Sequence, residues 1–254
     1  MKSQGVKPPQ YFIGWDVGAW HCPKARRKEK SADAIVILDE QRQLVGIPWQ
    51  GNLCETINLA NSARDFLGRI FTLANAELPV RPFSAILAID APLGFSKPFL
   101  ELVGSLVSTS PIESFKTNPY LFRHTEQFLF KHGLKPLSAV QDMIGSQATK
   151  GMQVLAKFAK ERLECGVWSQ DAVLTVIETY PAACNDSPYL ERLRFVSCSK
   201  KCLTQDECDA YTCALVGSLF KQNPNTLATP PKEVPEIEGW IWVPKDRLKK
   251  VTTK

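Results

Sequence analysis

Three short apolar runs open the chain: Tyr11 to Val17, ending at Gly18, then Ala34 to Leu38 and Leu44 to Ile47. Runs of this length between polar and glycine positions predict strands, the second and third forming a hairpin through Asp39 to Gln43. From Leu53 to about Ala76 the apolar residues Ile57, Ala60, Phe66, Leu67, Ile70, Phe71 and Ala74 recur mostly at helical spacing, opposite Asn61, Arg64, Asp65 and Arg69. That spacing predicts one amphipathic helix. Beyond Pro79 and Pro82, the nearly unbroken apolar run Ser84 to Ile89 predicts a strand buried on both faces, ended by Asp90 and Pro92.

Residues 94–170 carry helical patterns at Lys97 to Leu106, Tyr120 to Lys131 and Met143 to Glu164 and no comparable strand, so they are expected to form a helical insertion. Ala172 to Ile177 predicts another buried strand, Gln205 to Phe220 a helix, and Gly239 to Val243 a closing strand after a segment rich in proline. The expectation is an α/β chain forming a single domain over residues 1–254, with residues 94–170 inserted within it.

Length and composition narrow this little: 254 residues with 44% hydrophobic content can bury a full core. Met1 to Gln10 is polar, without the apolar centre of a secretory leader, and no apolar run approaches the roughly 20 residues needed to cross a bilayer. A soluble, cytoplasmic protein without membrane partners is expected. The eight cysteines are scattered, which favours reduced thiols. The densest group, Cys198, Cys202, Cys208 and Cys213, lacks the paired CxxC spacing of a structural zinc site. The net charge of +5 is unevenly spread, with Lys24, Arg26, Arg27, Lys28 and Lys30 in one stretch and Lys245, Arg247, Lys249, Lys250 and Lys254 in the tail. Each cluster reads either as solvated surface or as a phosphate-binding patch.

The acids at the strand ends change the picture. Asp16, Asp90 and Glu178 each terminate an apolar run, and ligands of open α/β sheets gather at the carboxyl ends of parallel strands. Asp206 and Asp209 share a helical face at i, i+3. Alone, these two read as a helix cap and a favourable dipole partner. Combined with the strand-end acids they form a set of carboxylates that repel unless a proton or cation compensates. Hard oxygen donors suit Mg²⁺ or Mn²⁺, and two such ions roughly 4 Å apart support phosphodiester hydrolysis.

Six segments in order carry a resemblance to a known family: Ile13-Gly14-Trp15-Asp16, Ala88-Ile89-Asp90-Ala91-Pro92-Leu93-Gly94, Arg123 with Glu126, Glu178-Thr179-Tyr180-Pro181-Ala182-Ala183, Asp206-x-x-Asp209-Ala210, and Glu238-Gly239-Trp240-Ile241. They resemble the predicted RNase H-like nucleases grouped as domain of unknown function 429, with a more distant likeness to RuvC-type resolvases, over nearly the whole chain. The resemblance implies an RNase H-like mixed five-stranded sheet flanked by helices, with a helical insertion. It further implies a metal site centred on Asp16 and Asp90, completed by Asp209 and Asp206 from the last helix, and nucleic acid, DNA or RNA, as substrate.

Other candidates keep two readings. Arg123 and Glu126, at i, i+3, read as a surface ion pair, whereas the resemblance turns them into the cleft, with Arg123 on a phosphate and Glu126 orienting it or joining the metal. Glu178 reads equally as a catalytic ligand, as a partner of a ligand, or as the polar end of a buried strand. Tyr180 and Trp15 are candidates to stack on a base, against the usual core role of aromatic residues. His124 is the one histidine placed to carry a proton, and no GxSxG pattern supports a covalent nucleophile. Asp16-Val17-Gly18 also fits the first phosphate loop of an actin-like ATPase or sugar kinase, although a GxxxxGK[ST] loop is absent. A non-catalytic scaffold retaining the sheet is the third reading.

Overall fold

The computed structural model describes residues 8–25, 31–109, 111–194 and 204–250. The basic residues Arg26, Arg27, Lys28, Lys30 and Lys254, and Cys198 and Cys202 of the cysteine group, lie outside the described residues. The fold is mixed α/β, consistent with an RNase H-like arrangement. Among the described residues its sheet has eight strands, three more than expected.

Strands β1 (Gln10–Asp16), β2 (Asp33–Leu38) and β3 (Trp49–Gly51) run antiparallel in turn, and β4 (Ser84–Asp90) and β7 (Leu174–Thr179) add in parallel on the other side of β1. The hairpin β5 (Glu161–Glu164) and β6 (Val167–Gln170) continues antiparallel from β7, giving the order β3-β2-β1-β4-β7-β6-β5. The closing strand β8 (Ile241–Trp242) pairs in parallel with the carboxyl end of β7.

Alternation along the strands sorts their side chains onto two faces. Phe12, Val36, Ile86 and Ala88 pack under the long helix α8 (Gln205–Gln222), which comes after the short helices α6 (Pro181–Cys184) and α7 (Pro188–Arg194). Ile13, Trp15, Ile35, Leu87 and Ile89 pack against α2 (Ala63–Leu73) and α5 (Gly145–Phe158). Both layers remove large side chains from water, at about 1.5–3 kcal/mol for each.

Three expectations about elements change. The single helix over 53–76 is two, α1 (Cys54–Leu59) and α2, because Ser62 caps a new start by accepting the Asp65 N–H at 3.1 Å. Leu44 makes only one bridge to Leu38, and the paired strand is Trp49–Gly51. Gly46, at φ +72°, turns the chain onto the end of α2, where a Cβ would lie 2.1 Å from the Ala74 carbonyl oxygen and Ile47 N–H donates to that same oxygen. In the insertion, α3 (Lys97–Ser105), α4 (His124–Lys131) and α5 form, but α5 stops at Phe158. Residues 161–170 form the β5–β6 hairpin instead, turning at Gly166 with φ +77°. No helix among the described residues is long and apolar enough to cross a membrane.

Candidate functional site

Asp16 and Asp90 are register partners across the parallel strands β1 and β4. Partnered residues of parallel strands project to the same face, and here that is the face of Phe12, Ala88 and α8. Gly14, two residues before Asp16, allows α8 to rest on the strand backbone: a Cβ there would stand 1.8 Å from the Ala210 carbonyl oxygen and 2.5 Å from the Ala214 nitrogen. This contact brings the first turn of α8, with Asp206 and Asp209, over the ends of β1 and β4.

Asp206 does not cap that helix. Thr204 does, accepting the Glu207 N–H at 3.2 Å while Glu207 accepts the Thr204 N–H at 2.7 Å. Asp206 instead reaches across to β2 and β3, where its Oδ2 accepts from the Ala32 N–H at 3.0 Å and from Gln50 Nε2 at 2.5 Å. Asp209 accepts from Gln205 Nε2 at 2.9 Å.

Neighbouring carboxylates shift three of these aspartates. Burial raises Asp16 well above the usual carboxylate range, and Asp90, Asp206, Asp209 and Asp33 push it further. Asp90 is pushed up to about 8 by burial, then by Asp209 and Glu178. Burial and Asp206 raise Asp209 against the opposing hydrogen bond from Gln205. Acids in such surroundings hold protons at neutral pH or take a cation in their place.

Among the described residues, no three His, Cys, Asp or Glu side chains are arranged closely enough to enclose a metal ion as they stand. The donor chemistry nevertheless fits a hard cation, because every donor in the set is a carboxylate and none of the four forms an ion pair among the described residues. Gln50, whose amide Nε2 donates to Asp206, also carries a buried Oε1 without a hydrogen-bond partner among the described residues.

Glu178 departs from its expected catalytic place. Its register partner on β4 is Ile89, so its side chain leaves the sheet on the face opposite Asp16 and Asp90. There it accepts the Leu93 N–H at 2.9 Å and forms two bonds with Arg123. Arg123 is only 3% exposed and spends all its N–H groups on Glu126, Glu178 and the Glu238 carbonyl oxygen. Neither the surface ion pair nor the phosphate-binding role expected of it is available, since no donor remains. Glu126 is equally buried and closes a capping box with the Arg123 N–H at the start of α4. Burial disfavours the charge on Arg123, but Glu126 and Glu178 outweigh it and raise its pKa further. His124 is held through Nδ1 by the buried Glu238 at 2.8 Å.

A cleft of about 170 Å³ opens between Asp16, Asp90, Tyr180, Pro136, Leu137 and Gln147, with Glu178 also reaching its wall. The Tyr180 ring is half-buried, and its hydroxyl donates to the Lys135 carbonyl oxygen at 2.8 Å. Trp15 is fully buried and serves the core, its Nε1 donating to Asp33 at 3.0 Å.

The sequence reading missed one supporting group. Asp33 at the start of β2 pairs with Lys150 of α5, both fully buried, and accepts the N–H groups of Gly18 and Leu53 at 2.9 and 2.6 Å. Lys150 also donates to the carbonyl oxygens of Gly18 and Ala19 at 3.3 Å, fixing the loop that leaves Asp16. The signal was a lysine between Ala148 and Val154 on the apolar face of a helix, where a lone charge requires a buried partner. Compared with family models, with curated proteins and with solved structures, the chain gives no match.

Proposed function

We propose that the chain is a metal-dependent, nuclease-like phosphodiesterase acting on nucleic acid, with Asp16, Asp90, Asp206 and Asp209 holding Mg²⁺ or Mn²⁺. One observation carries this reading: Asp16 and Asp90 are register partners on the sheet face over which α8 brings Asp206 and Asp209. A divalent ion held by these carboxylates supplies Lewis acidity toward a phosphodiester and a water of lowered pKa.

The surrounding residues have separate tasks. Gly14 sets the approach of α8, and Thr204 with Glu207 fixes the first turn that presents Asp206 and Asp209. Lys150 and Asp33 hold the loop after Asp16. Arg123 and Glu178 act as positioning residues, since Glu178 fixes the Leu93 N–H just beyond Asp90 and Pro92. Tyr180 supplies an aromatic wall to the cleft.

The test is isothermal titration of Mn²⁺ into the wild type and into Asp16→Asn, beside a cleavage assay on single-stranded, duplex and branched DNA and RNA. Binding and cleavage that both disappear in Asp16→Asn support the proposal. A second reading, a non-catalytic RNase H-like binding protein, is favoured by the absence of a closed metal cage among the described residues. Wild-type protein that binds no Mn²⁺, with or without nucleic acid, selects that reading.

A further inference from the structure

An aromatic cavity of the inserted region lies beside the acidic cleft and shares a wall with it. About 650 Å³ in volume, it is lined by Phe115, Phe122, Phe130, Leu134 and Leu137, and it shares Pro136 and Leu137 with the cleft that contains Asp16 and Asp90. The Tyr180 hydroxyl ties this shared wall to the end of β7 through the Lys135 carbonyl oxygen. Phe122 meets both other rings edge-on, at centroid distances of 5.8 Å to Phe115 and 5.2 Å to Phe130. Phe115 leaves 59% of its surface open.

The rim has the opposite character. Lys116, Lys131 and Lys135 line the opening, all exposed and none in an ion pair with a described residue. The basic tail reaches the same rim: Lys249 donates its N–H to the His132 carbonyl oxygen at 3.1 Å, and its side chain passes Gly133, where a Cβ would lie 2.8 Å from Lys249 Cδ. The acid among the lining residues, Asp142, accepts the Ser138 N–H.

We propose that this cavity is a nucleotide subsite that takes an unpaired base of a single-stranded nucleic acid, adjacent to the aspartate cleft. An aromatic floor with cations around it matches a flat apolar base joined to a phosphate. The volume lies in the usual range for ligand sites and exceeds what one base needs, leaving room for its sugar and phosphate. A base held in a duplex cannot offer its face to the phenylalanines, so the chemistry selects single strands, loops or frayed ends. The proposal deepens the phosphodiesterase reading by assigning its substrate class, but base capture itself requires no metal.

The experiment is fluorescence anisotropy of labelled single-stranded and duplex oligonucleotides of matched length, with EDTA present so that neither cleavage nor metal binding contributes. The wild type should prefer the single strand. Phe115→Ala, at an exposed position, should weaken single-strand binding roughly 10-fold, as loss of one stacked base does, with thermal stability unchanged. An oligonucleotide with abasic sites should lose a similar factor on the wild type and nothing further on Phe115→Ala. Lys131→Ala with Lys135→Ala should reduce the dependence of affinity on salt. Equal binding of single strand and duplex, or Phe115→Ala binding at wild-type strength, overturns the subsite. A free mononucleotide that binds as tightly as the oligonucleotide overturns the polymer assignment. Asp16→Asn separates the two proposals, because single-strand binding kept while the Mn²⁺ response is absent from all proteins sinks the phosphodiesterase reading and leaves the subsite standing.

Discussion

Arg123 grips both carboxylate oxygens of Glu178, with Nη1 2.9 Å from Oε2 and Nη2 2.6 Å from Oε1, on the sheet face turned away from Asp90. The same guanidinium holds Glu126, so one cation serves two buried acids. Arg123→Ala would leave both carboxylates without their partner, and breaking a buried pair from one side costs about 3–5 kcal/mol. The expected result is an unfolding free energy, from urea titration, lowered by that amount. Arg123→Lys should recover only part of it, since an ammonium cannot reproduce the planar fork. An unfolding free energy within about 0.5 kcal/mol of wild type in Arg123→Ala would refute the structural role, because surface changes stay in that range.

Asp90 has the opposite sign. Its folded-state pKa, about 8, lies above the unfolded value near 4, so between those limits the folded chain holds a proton that the unfolded chain lacks. Stability from this group is therefore complete below about pH 4 and is lost as pH rises through about 8. In EDTA the thermal midpoint should fall between pH 5 and pH 8, by roughly 5 °C or more for a chain of this size. Asp90→Asn should flatten that fall and raise the midpoint at pH 8 while removing the response to Mn²⁺. Thermal scans across pH with and without Mn²⁺ check both, and a midpoint in EDTA independent of pH in the wild type would count against the buried-acid account.

Much of this site was legible in the sequence because its backbone part depends on strand ends. Asp16 and Asp90 terminate apolar runs, and their convergence required only that β1 and β4 be parallel neighbours. Glu178 terminates an equally good run, yet a one-residue phase in strand alternation sends it to the other face, and phase depends on cross-strand register, which a single run does not contain. Arg123 and Glu126 kept two readings, a surface pair and a pair turned into the cleft, because i, i+3 spacing is the same for an exposed and a buried helix face. The β5–β6 hairpin was hidden for a different reason. Glu161 to Glu164 is exposed at every position and shows no alternation, so only its pairing with β6 makes it a strand. Asp33 and Lys150, 117 residues apart, could be matched only by the fold.

The contact between Gly14 and Ala210 predicts a contrast between two glycines. Gly14→Ala would place a methyl group 1.8 Å from a backbone oxygen of α8, which cannot yield without moving the helix. A destabilisation of about 1–3 kcal/mol is expected from the overpacking. Mn²⁺ affinity should drop at least about 10-fold as Asp206 and Asp209 shift, because 1.4 kcal/mol of misplacement already gives that factor. Gly217→Ala, on the same helix, meets its nearest neighbour, Ile86 Cγ2, at 3.5 Å. It should be tolerated or stabilising by up to about 1 kcal/mol through helix propensity. Unfolding curves and Mn²⁺ titrations of the two variants test the contrast, and a tolerated Gly14→Ala would show that α8 does not need this close approach.

Lys150 and Asp33 make the last prediction, which separates support of the site from chemistry at it. Lys150→Met keeps the length and apolar stem of the side chain but leaves Asp33 buried without its cation, at a cost of about 3–5 kcal/mol. Asp33 would still accept from Trp15 Nε1 and from the N–H groups of Gly18 and Leu53, so the loop after Asp16 should loosen locally before the sheet unfolds. Amide exchange should therefore accelerate at Gly18 and Leu53 more than at Ile86 or Ala88 in the middle of β4. Adding Asp33→Asn to Lys150→Met should recover part of the lost stability by removing the stranded charge. A double variant less stable than Lys150→Met would show that the hydrogen bonds accepted by Asp33, rather than its charge pair with Lys150, hold this part of the molecule.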